Sequence, residues 1–319
     1  MTLKVISERY LGDESARARF LREARAAASV RHPNVASVFH LGRTGQNYFY
    51  AMEFAEGETL ERLVKRSGRL EVKLALEIAT QVAAGLAAVH KQNLVHRDIK
   101  PSNIMVHVEE GNAIMVKIID LGLAKSVIEP GSQTAISMDG GFAGTPEFAS
   151  PEQFGGVGVD IRSDLYALGV TLWQMVTSHP VFRGSPLEVM YQHQHTPLPI
   201  ERLEGLPQPL VVLLEMLLEK DPARRFQDPV EVLNALPAVT NAIERRRKVG
   251  RRSLWKSGSL ELPSRTRKRP GNIDPDRISI ARLPITGSEV FGRKARDDRS
   301  LGRGRKVNTC QSLASTDGC

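Results

Sequence analysis

The sequence has little cysteine and lacks a long apolar run. Its only two cysteines, Cys310 and Cys319, lie near the C-terminus, so the main body cannot carry a disulfide framework. This scarcity favours a reducing, cytoplasmic setting. The longest apolar stretches, such as residues 210–218, are short and include Glu215, and no basic-then-apolar signal opens the chain. We therefore predict no membrane span and no membrane partner.

Charge is distributed unevenly along the 319 residues, whose net charge is +8. Residues 241–319 hold 20 Lys and Arg against 8 Asp and Glu, which leaves residues 1–240 with 24 against 28. The basic character therefore belongs to the C-terminal part. We interpret that part as a solvated linker. The alternative, a nucleic-acid-binding tail, is less favoured because no aromatic residues alternate with its basic ones.

The first third of the sequence alternates between strand and helix patterns. Residues 1–6 alternate apolar and polar side chains as a half-buried strand does, and residues 13–30 show helical spacing. Two further strands are predicted at residues 35–41 and 48–54, with residues 42–45 as the turn between them. These segments predict a small lobe rich in β-structure.

Helical patterns dominate the rest of the sequence as far as residue 236. Residues 71–90 predict a long helix with one buried face, and two short strands are predicted at residues 104–108 and 114–119. Beyond residue 237 the periodicity weakens, and Ser, Gly, Pro and Arg become frequent.

We therefore predict an α+β fold of two lobes. The N-lobe spans about residues 1–54, and the larger, mainly α C-lobe spans about residues 55–236. Residues 237–319 are predicted to be a basic, largely disordered tail.

The most informative motif is the octapeptide at residues 96–103, His-Arg-Asp-Ile-Lys-Pro-Ser-Asn. Its side chains include a carboxylate (Asp98), an ammonium group (Lys100) and a carboxamide (Asn103). Phosphoryl transfer needs a carboxylate to accept the proton of the attacking hydroxyl, a cation to balance the phosphoryl charge and an oxygen donor for Mg²⁺. Asp98 alone could be a simple turn cap, but the three groups in one register predict a phosphoryl-transfer loop.

A second acidic motif, Asp120-Leu121-Gly122, directly follows the predicted strand at residues 114–119. An Asp-x-Gly sequence after a strand can be an ordinary turn. Its place after Asn103 favours a different interpretation, because Mg²⁺ bridging phosphates prefers carboxylate oxygen.

Together these motifs resemble the eukaryotic-like (Hanks-type) protein kinase family, especially its bacterial serine/threonine branch, over residues 1–236. The resemblance implies transfer of the ATP γ-phosphoryl group to Ser or Thr hydroxyls of protein substrates in signal transduction, with ATP and Mg²⁺ as cofactors. It makes Asp98 the base and Lys100 the phosphate-neutralising cation. It also makes Asn103 and Asp120 the metal ligands.

The resemblance also assigns five residues of the first lobe to the nucleotide. Lys4 would hold the α- and β-phosphates, with Glu23 as its ion-pair partner. Met52 would form the back wall of the adenine pocket, and backbone groups of Glu53 and Ala55 would bind the adenine edge. Taken alone, Lys4 and Glu23 would be ordinary surface charges and Met52 an ordinary core residue.

Further residues receive structural roles by the same resemblance. Glu152 would form a buried ion pair with Arg225, and Asp164 would brace the backbone of the catalytic loop. Lys100 together with Thr145 would favour Ser or Thr over Tyr as the acceptor. Four hydroxyl residues between Asp120 and Glu152 are candidate autophosphorylation sites or simply parts of a polar loop: Ser126, Ser132, Thr134 and Ser137.

One part of the family pattern is not found. Members carry a glycine-rich strand pair before the strand lysine, whereas only three residues precede Lys4 here. We expect the sequence to be a fragment truncated before that loop, with an incomplete N-lobe whose first two strands are absent. The alternative is an inactive kinase-like scaffold that binds partners.

The C-terminal part contains one weaker resemblance. Residues 280–293, which end in Phe-Gly-Arg, resemble the start of an NTPase module that follows such kinases in larger signalling proteins. No phosphate-binding GxxxxGK[ST] motif follows, and the sequence after Arg293 becomes polar and basic. A following regulatory module in a longer parent protein is therefore a prediction from a short motif only.

Overall fold

The computed structural model describes residues 1–7, 14–45, 47–111, 113–122, 145–155 and 158–256. The chain divides into two compact units, residues 1–260 and 261–319. The second unit lies outside the described residues, and with it lie Cys310, Cys319 and the predicted module start at residues 280–293.

The N-lobe is a three-stranded antiparallel sheet with one helix packed against it. Its elements are β1 (Thr2–Ser7), α1 (Glu14–Ser29), β2 (Val38–Thr44) and β3 (Asn47–Met52). The strands lie in the order β1-β3-β2, and Lys4 pairs in register with Tyr50 on the central strand. The helix is held by Phe20, whose buried ring packs edge-on against Tyr48 with centroids 5.7 Å apart.

The second predicted strand is shifted toward the C-terminus relative to the sequence interpretation. β2 begins at Val38, and residues 42–44, which we predicted as turn, pair with residues 47–49 of β3. The chain reverses instead at Gly45, whose φ of 57° falls in the left-handed region that glycine adopts readily. The turn is therefore shorter than the sequence indicated.

The C-lobe is mainly helical and carries a second small antiparallel sheet. Its strands, in the order β4-β5-β6, are β4 (Glu58–Thr59), β5 (Ile104–Val108) and β6 (Ile114–Ile118). Its helices are α2 (Leu60–Ser67), α3 (Val72–His90), α4 (Pro151–Gly155), α5 (Ile161–Thr177), α6 (Pro186–His195), α7 (Gln208–Leu217) and α8 (Pro229–Lys256). The predicted α+β class with two lobes is confirmed.

Helix α5 forms the centre of the C-lobe. It is apolar around nearly its whole circumference, as expected of a helix buried on all sides, and its Tyr166 and Trp173 are fully buried. Asp160 caps its first turn by accepting a hydrogen bond from the Arg162 N–H at 2.9 Å. This buried helix gives the residues packed on it a fixed position.

Helix α3 is the one helix in the described part of the chain whose length and apolar composition would allow it to cross a bilayer. In the structure half of this helix is buried, and it packs against α5, α8 and β6. Its buried residues include Ala75, Ile78, Val82 and Leu86.

The predicted start of the tail at residue 237 is wrong in one respect, because helix α8 continues to Lys256. Pro237 stands inside this helix, although proline usually interrupts one by removing a backbone N–H. The helical spacing of apolar side chains nevertheless persists on both sides of it. Leu236 is buried, and Val239 and Ile243 pack against the same core. Tertiary packing therefore overrides the local signal of proline.

Candidate active site

The octapeptide at residues 96–103 forms a loop that ends in a 3₁₀ turn at Pro101–Asn103, directly before β5. The fully buried carboxylate of Asp164 on α5 accepts hydrogen bonds from the backbone N–H groups of His96 and Arg97, at 2.7 and 2.8 Å. Burial raises the pKa of Asp164 to about 7, although the two N–H donors and the Arg97 charge act in the opposite direction. These bonds fix the loop to the rigid centre of the lobe, as predicted for Asp164.

The three side chains of this loop that were predicted to be functional lie within contact distance of each other. Asn103 directs its Nδ2 to both the carbonyl and the Oδ2 of Asp98, each at 2.8 Å. Lys100 Nζ lies 3.2 Å from the same Oδ2 and donates to Thr145 Oγ1 at 3.1 Å. The carboxylate of Asp98 is thereby oriented by an amide and balanced by an ammonium group.

Asp120 is placed at the end of β6 by an unusual backbone conformation. Its φ of 61° lies in the left-handed region, which aspartate adopts more readily than most residues. The following Gly122 also has a positive φ, and a Cβ there would collide with the carbonyl of His96. Glycine at position 122 is therefore required by the close approach of this segment to the catalytic loop.

The Asp120 carboxylate is contacted from the N-lobe on both of its oxygens. Lys4 Nζ lies 2.7 Å from Oδ2, and Tyr50 donates its hydroxyl to Oδ1 at 3.2 Å. Burial and the neighbouring carboxylate raise the pKa of Tyr50, so its hydroxyl stays protonated and acts as the donor. The paired positions of Lys4 and Tyr50 on β1 and β3 bring both groups to one carboxylate.

The expected ion pair between Lys4 and Glu23 is not formed, and this expectation is corrected. Glu23 on α1 lies 3.7 Å from Arg97 Nη1 of the catalytic loop, while Lys4 pairs with Asp120. Asp120 supplies Lys4 with the negative charge expected from Glu23, and Arg97 supplies Glu23 with the positive charge expected from Lys4. Each ion pair therefore joins the N-lobe to the C-lobe, and neither pair lies within the N-lobe.

The predicted adenine-binding segment follows β3. Met52 is buried in the N-lobe core, and Glu53 donates its backbone N–H to the Ser37 carbonyl at 2.9 Å. The Glu53 side chain forms an ion pair with Lys117 on β6 at 2.6 Å and accepts the Ser37 N–H at 3.1 Å. Burial alone would raise the pKa of Glu53, but these bonds lower it overall. Adenine contacts at the Glu53 carbonyl and at Ala55 stay a prediction.

A buried ion pair joins the short helix α4 to the segment after α7, as the resemblance implied. Arg225 donates from Nη1 and Nη2 to the two carboxylate oxygens of Glu152, at 2.8 and 2.9 Å. The Ser163 hydroxyl also donates to Glu152, at 2.5 Å. Burial would raise the pKa of Glu152, yet Arg225 and Ser163 lower it overall. This ion pair thereby fixes the C-terminal end of the segment that begins at Thr145.

The oxygen donors at this site fit Mg²⁺ that arrives with a nucleotide. No group of three His, Cys, Asp or Glu side chains forms a metal cluster within the described ranges. Mg²⁺ does not require one, because it keeps several waters and binds through one or two carboxylates together with substrate phosphates. The Lys4 ammonium at Asp120 Oδ2 shows that this carboxylate is accessible to a cation. Asn103 directs its Nδ2 to Asp98, so its Oδ1 would be the atom available to a metal ion.

Three contributions to this region were missed by sequence reasoning. Tyr50 and Lys117 contact predicted site residues, and His193 bonds the backbone of Glu147 close to Thr145. The first two lie on strands that the sequence predicted correctly, so their alternation could have indicated which side chains face the site. The four candidate phosphorylation hydroxyls at 126–137 fall outside the described residues.

The larger lobe of this two-lobed fold thus carries a carboxylate, a lysine and a carboxamide in contact on one loop. The chain belongs to the protein kinase family, since the sequence profile of the protein kinase domain matches residues 1–235.

Several curated proteins resemble the chain. A probable serine/threonine-protein kinase of Clostridium perfringens is 35% identical over 242 residues, which are 75% of this chain and 34% of that protein. Serine/threonine-protein kinase PknB of Mycobacterium tuberculosis is 34% identical over 248 residues, covering 76% of this chain and 39% of PknB. The chain thus spans little more than a third of the length of these curated relatives.

A solved structure supports the fold independently. A single-site mutant of the kinase domain of Mycobacterium tuberculosis PknI superimposes with a TM-score of 0.57 at 25% sequence identity, covering 75% of this chain and 84% of that chain. The family membership and the bacterial relatives agree with the resemblance found in the motifs.

Proposed function

We propose that the chain is a serine/threonine protein kinase that transfers the γ-phosphoryl group of ATP to Ser or Thr hydroxyls of protein substrates. We further propose that it works in cytoplasmic signal transduction as part of a longer protein. The sequence supports the setting through its scarce cysteine, and the relatives support the activity through their names.

The observation that carries this proposal is the position of Lys100 between two oxygens. Its Nζ contacts Asp98 Oδ2 at 3.2 Å and Thr145 Oγ1 at 3.1 Å, which joins the catalytic loop to the segment before α4. An acceptor hydroxyl beside Asp98 would lie next to this positive charge. The arrangement therefore combines a base and a charge-stabilising group at one point.

The geometry supports a role for each side chain in the proposed transfer. The Asp98 carboxylate, held by Asn103, accepts the proton of the acceptor hydroxyl while that oxygen bonds to the γ-phosphorus and the bond to the ADP oxygen breaks. Lys100 stabilises the negative charge of the moving phosphoryl group. Mg²⁺ held by Asn103 and Asp120 would neutralise charge on the ATP phosphates.

A second candidate, an inactive kinase-like scaffold, is favoured by one specific observation. The cationic Lys4 and the anionic Asp120, both assigned to the nucleotide, are paired with each other, and Glu23 is paired with Arg97. A protein that kept these pairs would bind ATP poorly and would act only through its surface.

Transfer of label from γ-³²P-ATP to a mixture of Ser-, Thr- and Tyr-containing acceptor peptides tests the proposal. We expect labelled phosphoserine and phosphothreonine but no phosphotyrosine, because the family resemblance associates the pair of Lys100 and Thr145, which are in contact here, with Ser and Thr acceptors. A parallel assay uses the chain extended ahead of Met1 by a glycine-rich strand pair. Label on tyrosine would contradict the acceptor assignment, and no transfer by either chain would favour the scaffold.

A further inference from the structure

One buried histidine takes no part in the chemistry described above. His193 lies in the last turn of α6, which begins with a complete capping box formed by Ser185 and Glu188. Its side chain is 0% exposed, an unusual degree of burial for a titratable group. Such a group is expected to have its polar atoms satisfied, and its two partners determine what the ring can do.

Both ring nitrogens of His193 form hydrogen bonds to other elements. Nε2 lies 3.1 Å from the carbonyl oxygen of Glu147, and Nδ1 lies 2.8 Å from the hydroxyl of Tyr166 on α5. A carbonyl oxygen can only accept, so Nε2 carries the proton. In a neutral ring Nδ1 is then the acceptor, and Tyr166 donates to it. The tautomer is therefore fixed by the partners.

The ring cannot move without disturbing three aromatic side chains. Phe182 packs edge-on at 4.9 Å, Tyr166 edge-on at 5.7 Å, and Phe154 of α4 lies at 6.3 Å in a tilted orientation. Lys220 donates to the His193 carbonyl at 2.8 Å and places its ammonium over the Phe182 ring. His193 is thus held at a junction of α4, α5 and α6.

The imidazole stays neutral throughout the physiological pH range. Burial lowers the pKa of His193 to about 3, the nearby Lys220 charge acts in the same direction, and the Glu147 carbonyl opposes both. A single proton therefore remains on Nε2, and the bond to Glu147 does not change with pH near neutrality.

The carbonyl that His193 bonds belongs to the segment that contacts the catalytic loop. Glu147 lies in a 3₁₀ turn, Pro146–Phe148, which directly follows Thr145. Thr145 accepts the hydrogen bond from Lys100, the cation beside Asp98. Only one residue therefore separates the carbonyl fixed by His193 from the hydroxyl that contacts the catalytic loop.

We propose that His193 is a positioning residue for the acceptor-binding segment 145–148, acting through its Nε2–H bond to the Glu147 carbonyl. The bond keeps the 3₁₀ turn next to the catalytic loop, so that Thr145 stays hydrogen-bonded to Lys100. Its loss weakens binding of the protein acceptor and leaves ATP binding unchanged. The kinetic part rests on the proposed kinase function, whereas the conformational part does not.

Two substitutions separate this role from simple packing. Gln places its side-chain NH₂ near the position of imidazole Nε2, so His193→Gln keeps a donor for Glu147. Asn is one methylene shorter and reaches only the Nδ1 position, so His193→Asn keeps the Tyr166 contact and loses the Glu147 bond. If His193 only filled space, the shorter Asn would loosen α6 and the segment together.

The primary measurement is amide hydrogen exchange in the full chain. The reporters are the Phe148 and Ala149 amides, which donate to Thr145 and Pro146 within the 3₁₀ turn. In His193→Asn we expect both to exchange about tenfold faster, since one buried carbonyl has lost its donor. In His193→Gln we expect protection within about threefold of the unmodified chain. The Val189 amide in the first turn of α6 is the control.

The kinetic arm measures KM for an acceptor peptide and KM for ATP in the same variants. We expect the acceptor KM to rise about tenfold in His193→Asn only, with the KM for ATP unchanged. Equal exchange at Phe148 in both variants, or equal loosening of Val189, would overturn the proposal. If the unmodified chain transfers no phosphate, the kinase function fails, while the exchange arm still decides the role of His193.

Discussion

Replacing Asp120 by asparagine is expected to weaken Mg²⁺-dependent binding of ADP by more than about 100-fold, since loss of a group that merely supports a ligand already costs 10- to 100-fold in metal affinity. The substitution keeps the size of the side chain and removes the charge that attracts the metal. Isothermal titration with ADP, with and without Mg²⁺, measures the change. The substitution also removes the ion pair between Lys4 and Oδ2. The affinity for ADP without Mg²⁺ should fall much less than the affinity with Mg²⁺.

A matched control is Asp160→Asn, which removes the same charge at the start of α5, where Asp160 bonds Arg162. Asp160 caps α5, and asparagine caps a helix about as well as aspartate. We expect nucleotide binding in this variant to equal that of the unmodified chain. Equal binding in Asp120→Asn as well would show that Asp120 is not a metal ligand.

Replacing Arg225 by methionine is expected to lower the free energy of unfolding by about 3–5 kcal/mol. The Arg225 side chain is fully buried, and its removal leaves the Glu152 carboxylate without a counter-charge. The neighbouring Arg224 is 74% exposed and pairs only loosely with Asp221, so Arg224→Met should cost less than about 0.5 kcal/mol. Urea unfolding monitored by circular dichroism compares the two variants.

The pH dependence and a double variant make this prediction more specific. Because the pKa of Glu152 is lowered in the fold, its contribution is complete above its ordinary value of 4.5 and is lost as the pH falls below that value. Adding Glu152→Gln to Arg225→Met removes the unpaired charge and should restore part of the stability. A double variant less stable than Arg225→Met would contradict the account of a buried, uncompensated carboxylate.

The parts of the site that could be predicted from the sequence are those encoded within one short segment. Asp98, Lys100 and Asn103 are separated by only a few residues, so the loop that carries them brings their side chains together. Long-range pairs such as Glu152 with Arg225 were found because a whole family pattern indicated both partners. Residue spacing alone would not have joined them.

The ion pairs of Lys4 and Glu23 could not be predicted in this way. Each residue has more than one partner of suitable charge in the sequence, and the choice depends on where α1 and β1 lie relative to the catalytic segment. The positions of charged residues along the sequence do not give the distances between their charges in the fold. His193 was missed for a related reason, because its role depends on a carbonyl oxygen, which every residue possesses.

The continuation of α8 shows how a strong local signal can mislead. Pro237 ended the predicted domain, yet Leu236, Val239 and Ile243 continue the helical stripe into the core. The energy of burying this stripe outweighs the backbone bond that proline removes.

The central claim is that Asp98 is the base of a phosphoryl-transfer site, and single-turnover transfer from γ-³²P-ATP to an acceptor peptide tests it most directly. In Asp98→Asn we predict a rate about 10²- to 10⁴-fold lower than in the unmodified chain, with ADP affinity unchanged. Asp160→Asn should transfer at the rate of the unmodified chain. Transfer by Asp98→Asn at that same rate would contradict the claim.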